Sequence, residues 1–364
     1  MQTAYCEEIR FYFLGEHMFE DKQGGLTPIT NLGEFSLIEK LTKDFPSFHT
    51  ETLKGVGDDA AVIKLGEGKV QLISTDLLLE GIHFDLRYVP LRHLGYKAVA
   101  VNVSDICAMN GKPYGITVSI GISNRFTVEA LEALYEGIRL ACEKYRVELL
   151  GGDTSSSRQG LVISVSAYGE GAENTTTYRN GAKKHDLICV SGDLGAAYAG
   201  LLVLEREKAV FLKDPNMQPD LTTYGYAIGR QLKPEARTDV IGLLENLGVL
   251  PTSMMDISDG LASELHHICH QSKCGAFIYA RNIPIDYLTS RIAGELEISP
   301  YTFALNGGED YELVFTISLK DYEKLKGIEG LHIIGHITDE PGRVQMELKG
   351  GSVVDVEAQG WTHF

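Results

Sequence analysis

Apolar residues along the chain switch between a spacing of three to four and a spacing of two, which predicts helices and strands in alternation. Glu34 to Leu41 has helical spacing, the polar loop Lys54 to Asp59 follows it, and Ala61 to Leu65 and Val70 to Ser74 read as strands. The pattern then predicts a helix over Leu91 to Met109, a strand over Ile116 to Gly121, a helix over Val128 to Tyr145 leading into Leu149 and Leu150, and a strand over Leu161 to Ala167. From Gly171 to Lys184 the chain is polar and rich in Gly, Asn and Thr, and a fresh strand and helix start at Leu187 and run through Leu194 to Glu205. Beyond it, Val240 to Leu247, Leu261 to His270 and Leu319 to Leu325 read as helices, while Met254 to Ile257, Ala276 to Tyr279, Leu313 to Ile317 and Ile333 to Ile337 read as extended.

Mixed strands and helices in both halves predict two domains of the α/β or α+β class, over 31–175 and 176–364. Residues 1–30 are polar and broken by Gly24, Gly25 and Pro28, so they read as an appendage, with Met18 an alternative start.

Composition narrows the partners. The 364 residues include 33 Lys+Arg and 50 Asp+Glu, a formal charge of −17. Such a field repels phosphate backbones and argues against a basic nucleic-acid-binding face. A small polyphosphate stays compatible, because metal ions can sit between carboxylates and phosphate oxygens. The six cysteines (Cys6, Cys107, Cys142, Cys189, Cys269 and Cys274) form no C-x-x-C pair and read as thiols of a reducing cytoplasm. The N-terminal apolar stretch Phe11 to Leu14 is short for a signal core and follows Glu7 and Glu8. No apolar run approaches the roughly 18 residues of a membrane span. The expectation is a soluble cytoplasmic protein, away from membranes.

Gly55-Val56-Gly57-Asp58-Asp59-Ala60 has the formal spacing G-x-G-x-x-A, but a dinucleotide fingerprint needs a strand before it and a helix after it. Polar His49 to Lys54 precede and the strand-like AVI follows, so that reading fails. No P-loop or protein-kinase signature is present.

Aspartates stand beside Gly, Ser or Thr at the ends of apolar segments: Asp58 and Asp59, Asp76, Asp105, Asp153, Asp193, Asp256 and Asp259, and Asp310 after Glu309. Any one of them could cap a helix or form a turn. Asp105 carries more, because Leu94, Ala98, Val101 and Asp105 fall on one helical stripe, and a carboxylate facing inward needs a partner. No Lys or Arg lies within four residues of it. Ser74-Thr75-Asp76 is expected at the exit of a strand, where an open α/β sheet puts its site. Oxygen ligands without a His/Cys cluster select a hard cation such as Mg²⁺. The pattern points to a phosphate-handling site with several metal ions.

GVGDDAAVI (55–63), ISTD and EGIHF (73–84), YKAVAVNVSDICAM (96–109), LLGGDTS (149–155), MDISDGL (255–261) and NGGEDYELVFT (306–316) resemble thiamine-monophosphate kinases, of the superfamily that includes aminoimidazole ribonucleotide synthetase. The resemblance runs from about Leu32 to the C-terminus and leaves 1–30 without a counterpart. It implies phosphorylation of thiamine monophosphate by ATP, two domains, and a homodimer paired through the sheets of the N-terminal domains. On matching positions it implies that Asp59, Ser74, Thr75, Asp76, Asp105, Asp153, Asp256 and Asp259 hold Mg²⁺ ions. Gly152, Asp153, Arg179, Ser258 and Tyr135 would meet ATP, and His83, Glu309 and Trp361 would meet thiamine phosphate. Tyr135 also reads as a core residue beside Leu131, Leu134 and Ile138, and Trp361 as a packing anchor. The rivals are superfamily enzymes that phosphorylate an amide or formyl oxygen (aminoimidazole ribonucleotide synthetase or a carbamoyl dehydratase) and a non-catalytic acidic cation-binding protein. A selenophosphate synthetase is disfavoured, since its reactive Cys beside a Lys in a Gly-rich loop is not seen.

Overall fold

The computed structural model describes residues 31–359, so the expected appendage 1–30 and Trp361 lie outside the described residues. Residues 31–46 belong to a unit of their own, with helix α1 (Glu34–Thr42) where the EFSLIEKL spacing predicts it.

A second compact unit begins at Ser47 and contains two sheets. The first has six strands in the order β1-β2-β3-β6-β4-β5. They are β1 (Thr52–Lys54), β2 (Ala61–Gly66), β3 (Lys69–Leu79), β4 (Lys112–Ile122), β5 (Glu148–Ser156) and β6 (Val162–Ala172). Only β4 and β5 pair in parallel. Helices α2 (Leu91–Ala108) and α3 (Val128–Tyr145) pack on each other, and α2 also lies against β3, β4 and β6.

The second sheet has seven strands in the order β13-β12-β9-β11-β7-β10-β8. In chain order its region comprises β7 (Leu187–Ser191), α4 (Ala196–Lys213), α5 (Gly225–Leu232), α6 (Thr238–Leu247), β8 (Ser253–Asp256), α7 (Leu261–Ser272) and β9 (Gly275–Tyr279). There follow α8 (Tyr287–Glu295), α9 (Pro300–Asn306), β10 (Leu313–Ile317), α10 (Tyr322–Leu325), β11 (Leu331–Thr338), β12 (Val344–Glu347) and β13 (Val353–Asp355). Helix α7 packs on β8, β9, β10 and β12. The expected α/β character holds, as two mixed sheets with helices.

One hydrophobic cluster runs from the first sheet through α2 to Cys189, Met254, Leu313 and Phe315 of the second sheet. Helix α2 is therefore enclosed, and every residue from Leu94 to Ser104 is buried. Its sequence agrees, since small and β-branched residues surround its few polar ones and no polar face exists to meet water.

One local expectation is corrected. Ser74, Thr75 and Asp76 do not sit at a strand exit, because β3 continues to Leu79 and pairs antiparallel with β6 along its whole length, from Lys69 opposite Ala172 to Leu79 opposite Val162. A ladder is built from backbone groups, so a polar triplet does not end it. The exit rule belongs to parallel sheets, and this sheet is mostly antiparallel.

The cysteines among the described residues are free, and all but Cys142 are buried. No helix among the described residues is long and apolar enough to cross a membrane.

Candidate functional site

Asp59 precedes β2, Asp105 lies in the last turn of α2, and Asp256 ends β8. Folding brings these three together, each with a carboxylate oxygen within 4.8 Å of the others. Ser74 of β3 hydrogen-bonds Asp105. Two residues on, Asp76 shares the same strand face, and its backbone N–H donates to Asn102 Oδ1 of α2 at 3.0 Å. Ser104 Oγ donates to Asp256 Oδ2 at 2.6 Å. Neighbouring strand and helix thus supply hydroxyls that orient the carboxylates.

The nearest cation is Arg179, whose Nη2 lies 2.6 Å from Asp59 Oδ1. Its backbone N–H donates to Asp58 Oδ1 at 3.1 Å, and the Asp59 N–H reaches the same oxygen at 3.2 Å. Asp58 also faces Lys54 Nζ at 3.5 Å. The side chain of Asp58 thus pins the 55–60 loop to Arg179.

One guanidinium does not balance this many acids. Burial pushes the Asp256 carboxyl up to about 8, with the Asp59 charge adding to it. Burial likewise raises Asp76 to about 6, and raises Asp58 to about 6 with help from Asp59. Asp105 is held well above the ordinary carboxylate range by burial and then by Asp76, Asp256 and Asp59. Burial would lower Arg179, but Asp59 and Asp58 keep it above its ordinary value. Asp59 Oδ2 is buried with no hydrogen-bond partner. An all-oxygen donor set, an orphaned carboxylate oxygen and excess negative charge fit a hard divalent cation.

A second group of predicted residues surrounds the start of α7. Glu264 Oε1 accepts the N–H groups of Ser258 at 2.9 Å and Asp259 at 2.8 Å, fixing the DISDG loop. Burial and the Asp259 charge hold Glu264 well above its ordinary range. The N–H of Glu309 donates to Ser258 O at 2.7 Å, and that of Tyr311 to Ile257 O at 2.9 Å, so the NGGEDYEL segment docks on the same loop. Gly308 makes this possible, since its φ is +68° and a Cβ there would lie 2.5 Å from Ser258 O. The acids of NGGEDYEL then diverge. Glu309 pairs with Lys97, Asp310 accepts the Gly195 N–H at the start of α4 at 2.7 Å, and Glu312 pairs with Arg230 and Arg237.

Other predicted residues stand apart from the carboxylate cluster. The side chain of Thr75 points to the opposite face of β3 from Ser74 and Asp76, and its Oγ1 donates to Val165 O at 3.1 Å. Asp76, Val165, Val118 and Gly152 form one row across β3, β6, β4 and β5. Three strand spacings separate its ends by roughly 14 Å. Gly152 permits close pairing, since a Cβ there would lie 1.8 Å from Val118 O. Asp153, the next residue, is exposed on the other face of edge strand β5. His83 lies in the turn after β3, where its Nδ1 accepts the Leu79 N–H at 3.0 Å. Tyr135 is half-buried on α3 against the core, as its core reading expected.

Sequence reasoning missed Lys97, Gln231 and Glu264, and it grouped Asp58 with the other aspartates without giving it a role. A solitary Lys in the apolar run around YKAVAVNV was a readable signal for Lys97. Nothing local marks Gln231, whose partners come from distant segments.

The family model described as "AIR synthase related protein, N-terminal domain" matches residues 57–170. The thiamine-monophosphate kinase of Buchnera aphidicola subsp. Schizaphis graminum is 37% identical over 337 residues, 91% of this chain and 98% of that protein. The same-named protein of Bacillus subtilis is 33% identical over 339 residues, 92% of this chain and 100% of that one. A solved structure described as AaThiL complexed with AMPPCP and TMP superposes with a TM-score of 0.80 at 31% identity, covering 93% of this chain and 100% of that one. With these identities spanning nearly all of both partners, the chain belongs to the thiamine-monophosphate kinase family.

Proposed function

We propose that the protein transfers the γ-phosphoryl group of ATP to the phosphate oxygen of thiamine monophosphate, giving ADP and thiamine diphosphate. The observation that carries this reading is the meeting of Asp59, Asp105 and Asp256 beside a single guanidinium, in a chain of this family.

Asp59, Ser74, Thr75, Asp76, Asp105, Asp153, Asp256 and Asp259 are the residues assigned to several Mg²⁺ ions. Support is greatest where buried oxygens converge, at Asp59, Asp105 and Asp256, while Thr75 and Asp153 enter on the resemblance alone. Bound Mg²⁺ would neutralise the oxygens of two phosphates that must approach each other. Arg179, held by Asp59 and by the Asp58 loop, offers a planar grip on ATP phosphate. Gly152, Asp153, Ser258 and Tyr135 are also assigned to ATP, and His83, Glu309 and Trp361 to thiamine phosphate. The acceptor phosphate ionises near neutrality, so the transfer requires no side-chain base.

A homodimer paired through β5 belongs to the same reading. Every residue of that edge strand is exposed, including Leu149 at 49% and Leu150 at 51%, a surface suited to a second copy. The two sheets are read as two domains, and the free, mostly buried thiols suit the cytoplasm.

The test is incubation with Mg²⁺, ATP and thiamine monophosphate, followed by chromatography for thiamine diphosphate. Product is expected only when all three are present. A folded protein that makes none refutes the reading, and formation of aminoimidazole ribonucleotide from its precursor would promote the rival enzyme.

A further inference from the structure

Lys97 lies in the enclosed stretch of α2 and is only 3% exposed. Its Nζ is 2.6 Å from Glu309 Oε1 and 3.4 Å from the Gln231 carbonyl. Gln231 of α5, 6% exposed, donates its Nε2 to Glu309 Oε2 at 2.5 Å. Both oxygens of one carboxylate are therefore held by side chains from two different helices. The backbone of Glu309 is also fixed, at φ +57° with its N–H on Ser258 O.

This arrangement is costly for packing alone. A lysine is almost never buried without a partner, and a well-packed apolar pair generally serves stability as well as a buried ion pair does. The Gln231 amide must present nitrogen to the carboxylate, because two oxygens would repel. That leaves its Oε1 buried with no hydrogen-bond partner, a condition that native interiors rarely tolerate without cause. Meanwhile the Glu309 side chain keeps 27% of its surface open. A carboxylate has about four lone-pair positions, so two remain for a ligand. The result is an open acid with a fixed direction.

We propose that Lys97 and Gln231 are positioning residues, a two-helix clamp that aims the Glu309 carboxylate at the cationic or N–H-bearing rings of thiamine phosphate. This rests on the assignment of Glu309 to that substrate. Releasing either arm lets the carboxylate swing and weakens recognition of thiamine phosphate, while ATP, held elsewhere, is unaffected.

The experiment is steady-state kinetics on Lys97→Met, Gln231→Met, Glu309→Gln and the Lys97→Met/Glu309→Gln double variant, each checked for folding by circular dichroism. Lys97→Met and Gln231→Met are expected to raise KM for thiamine monophosphate roughly tenfold or more, the scale of a misplaced binding group. KM for ATP should stay within about twofold, and Lys97→Met should add less than about threefold in the Glu309→Gln background, as residues acting through one another do. If Glu309→Gln leaves KM for thiamine monophosphate unchanged, the assignment of Glu309 fails and the clamp with it. If Glu309→Gln raises that KM but Lys97→Met and Gln231→Met do not, or move both KM values together, the clamp alone is overturned. Should Lys97→Met fail to fold, Gln231→Met, which leaves the buried charge paired, decides.

Discussion

Asp105→Asn removes one of three carboxylates whose oxygens lie within 4.8 Å of one another, while keeping the side chain's shape. At an effective dielectric of about 20, two unit charges that far apart repel by roughly 3.5 kcal/mol, or about 7 for the two pairs involving Asp105. The realised repulsion is smaller, because burial lifts Asp256 to about 8 and raises Asp105 above its ordinary range, which favours the neutral forms of both. The neutral forms leave a relief of about 1–2 kcal/mol on removing the Asp105 charge. The chain has 364 residues and an unfolding entropy of roughly 2 cal/mol/K for each, so the relief is worth about 1–3 °C in Tm. In the presence of a chelator, Asp105→Asn should therefore melt about 1–3 °C above the parent. Adding Mg²⁺ should reverse the order, because the parent gains stability by mass action and the variant gains less. Turnover should fall by about 100-fold or more, the scale of losing one preorganised electrostatic group. Differential scanning calorimetry with chelator or Mg²⁺, together with a coupled kinase assay, reads all three. Melting below the parent in chelator would refute the reasoning, since Asp105 would then act mainly as the acceptor for Ser74. Turnover within about tenfold of the parent would remove Asp105 from the metal site.

Arg179→Lys keeps the charge but loses the planar fork, so KM for ATP should rise roughly tenfold, and an unchanged value would detach Arg179 from the nucleotide. Burial, with Arg179, His266 and His270 adding, pushes His267 from 6.5 down to about 4, so the neutral ring is favoured in the folded state. Its contribution is present above pH 6.5 and is lost as pH falls toward 4, up to roughly 3 kcal/mol. His267→Gln should flatten the Tm profile across that window, and an identical acid slope would count against it. If the proposed dimer pairs through the exposed edge β5, Leu150→Asp should give a monomer in analytical ultracentrifugation where the parent sediments as a dimer, and a parent that sediments as a monomer would overturn that pairing. Trp361 is the single tryptophan, so thiamine monophosphate should alter the protein's emission, and a flat titration would remove Trp361 from the substrate site.

Asp105 shows how far local reading reaches. Its place on an apolar stripe turned it inward, toward Ser74 and the other carboxylates, but the stripe alone did not show that α2 is enclosed between two sheets and buried from Leu94 to Ser104. Periodicity reports what a helix can bury, and only packing reports how many of its faces are covered. The triplet Ser74-Thr75-Asp76 makes the complementary point. Its polarity suggested a strand end, whereas continuous pairing with β6 carries the strand to Leu79 and sends Thr75 to the other face. Polarity registers in side chains, while the ladder is made by the backbone.

Readable from the residues alone were the alternation of helices and strands, the mismatch of the 55–60 loop to a dinucleotide fingerprint, and the aspartates set beside Gly, Ser and Thr. These follow from neighbours within a few positions, where spacing and side-chain chemistry act directly. Tertiary structure alone decided that Asp59, Asp105 and Asp256 share one space, that Arg179 meets Asp59 across 120 positions, and that Lys97 meets Glu309 across 212. Coulombic and hydrogen-bonding contacts depend on distance in space, and chain separation carries no trace of it until the hydrophobic core has closed the intervening loops.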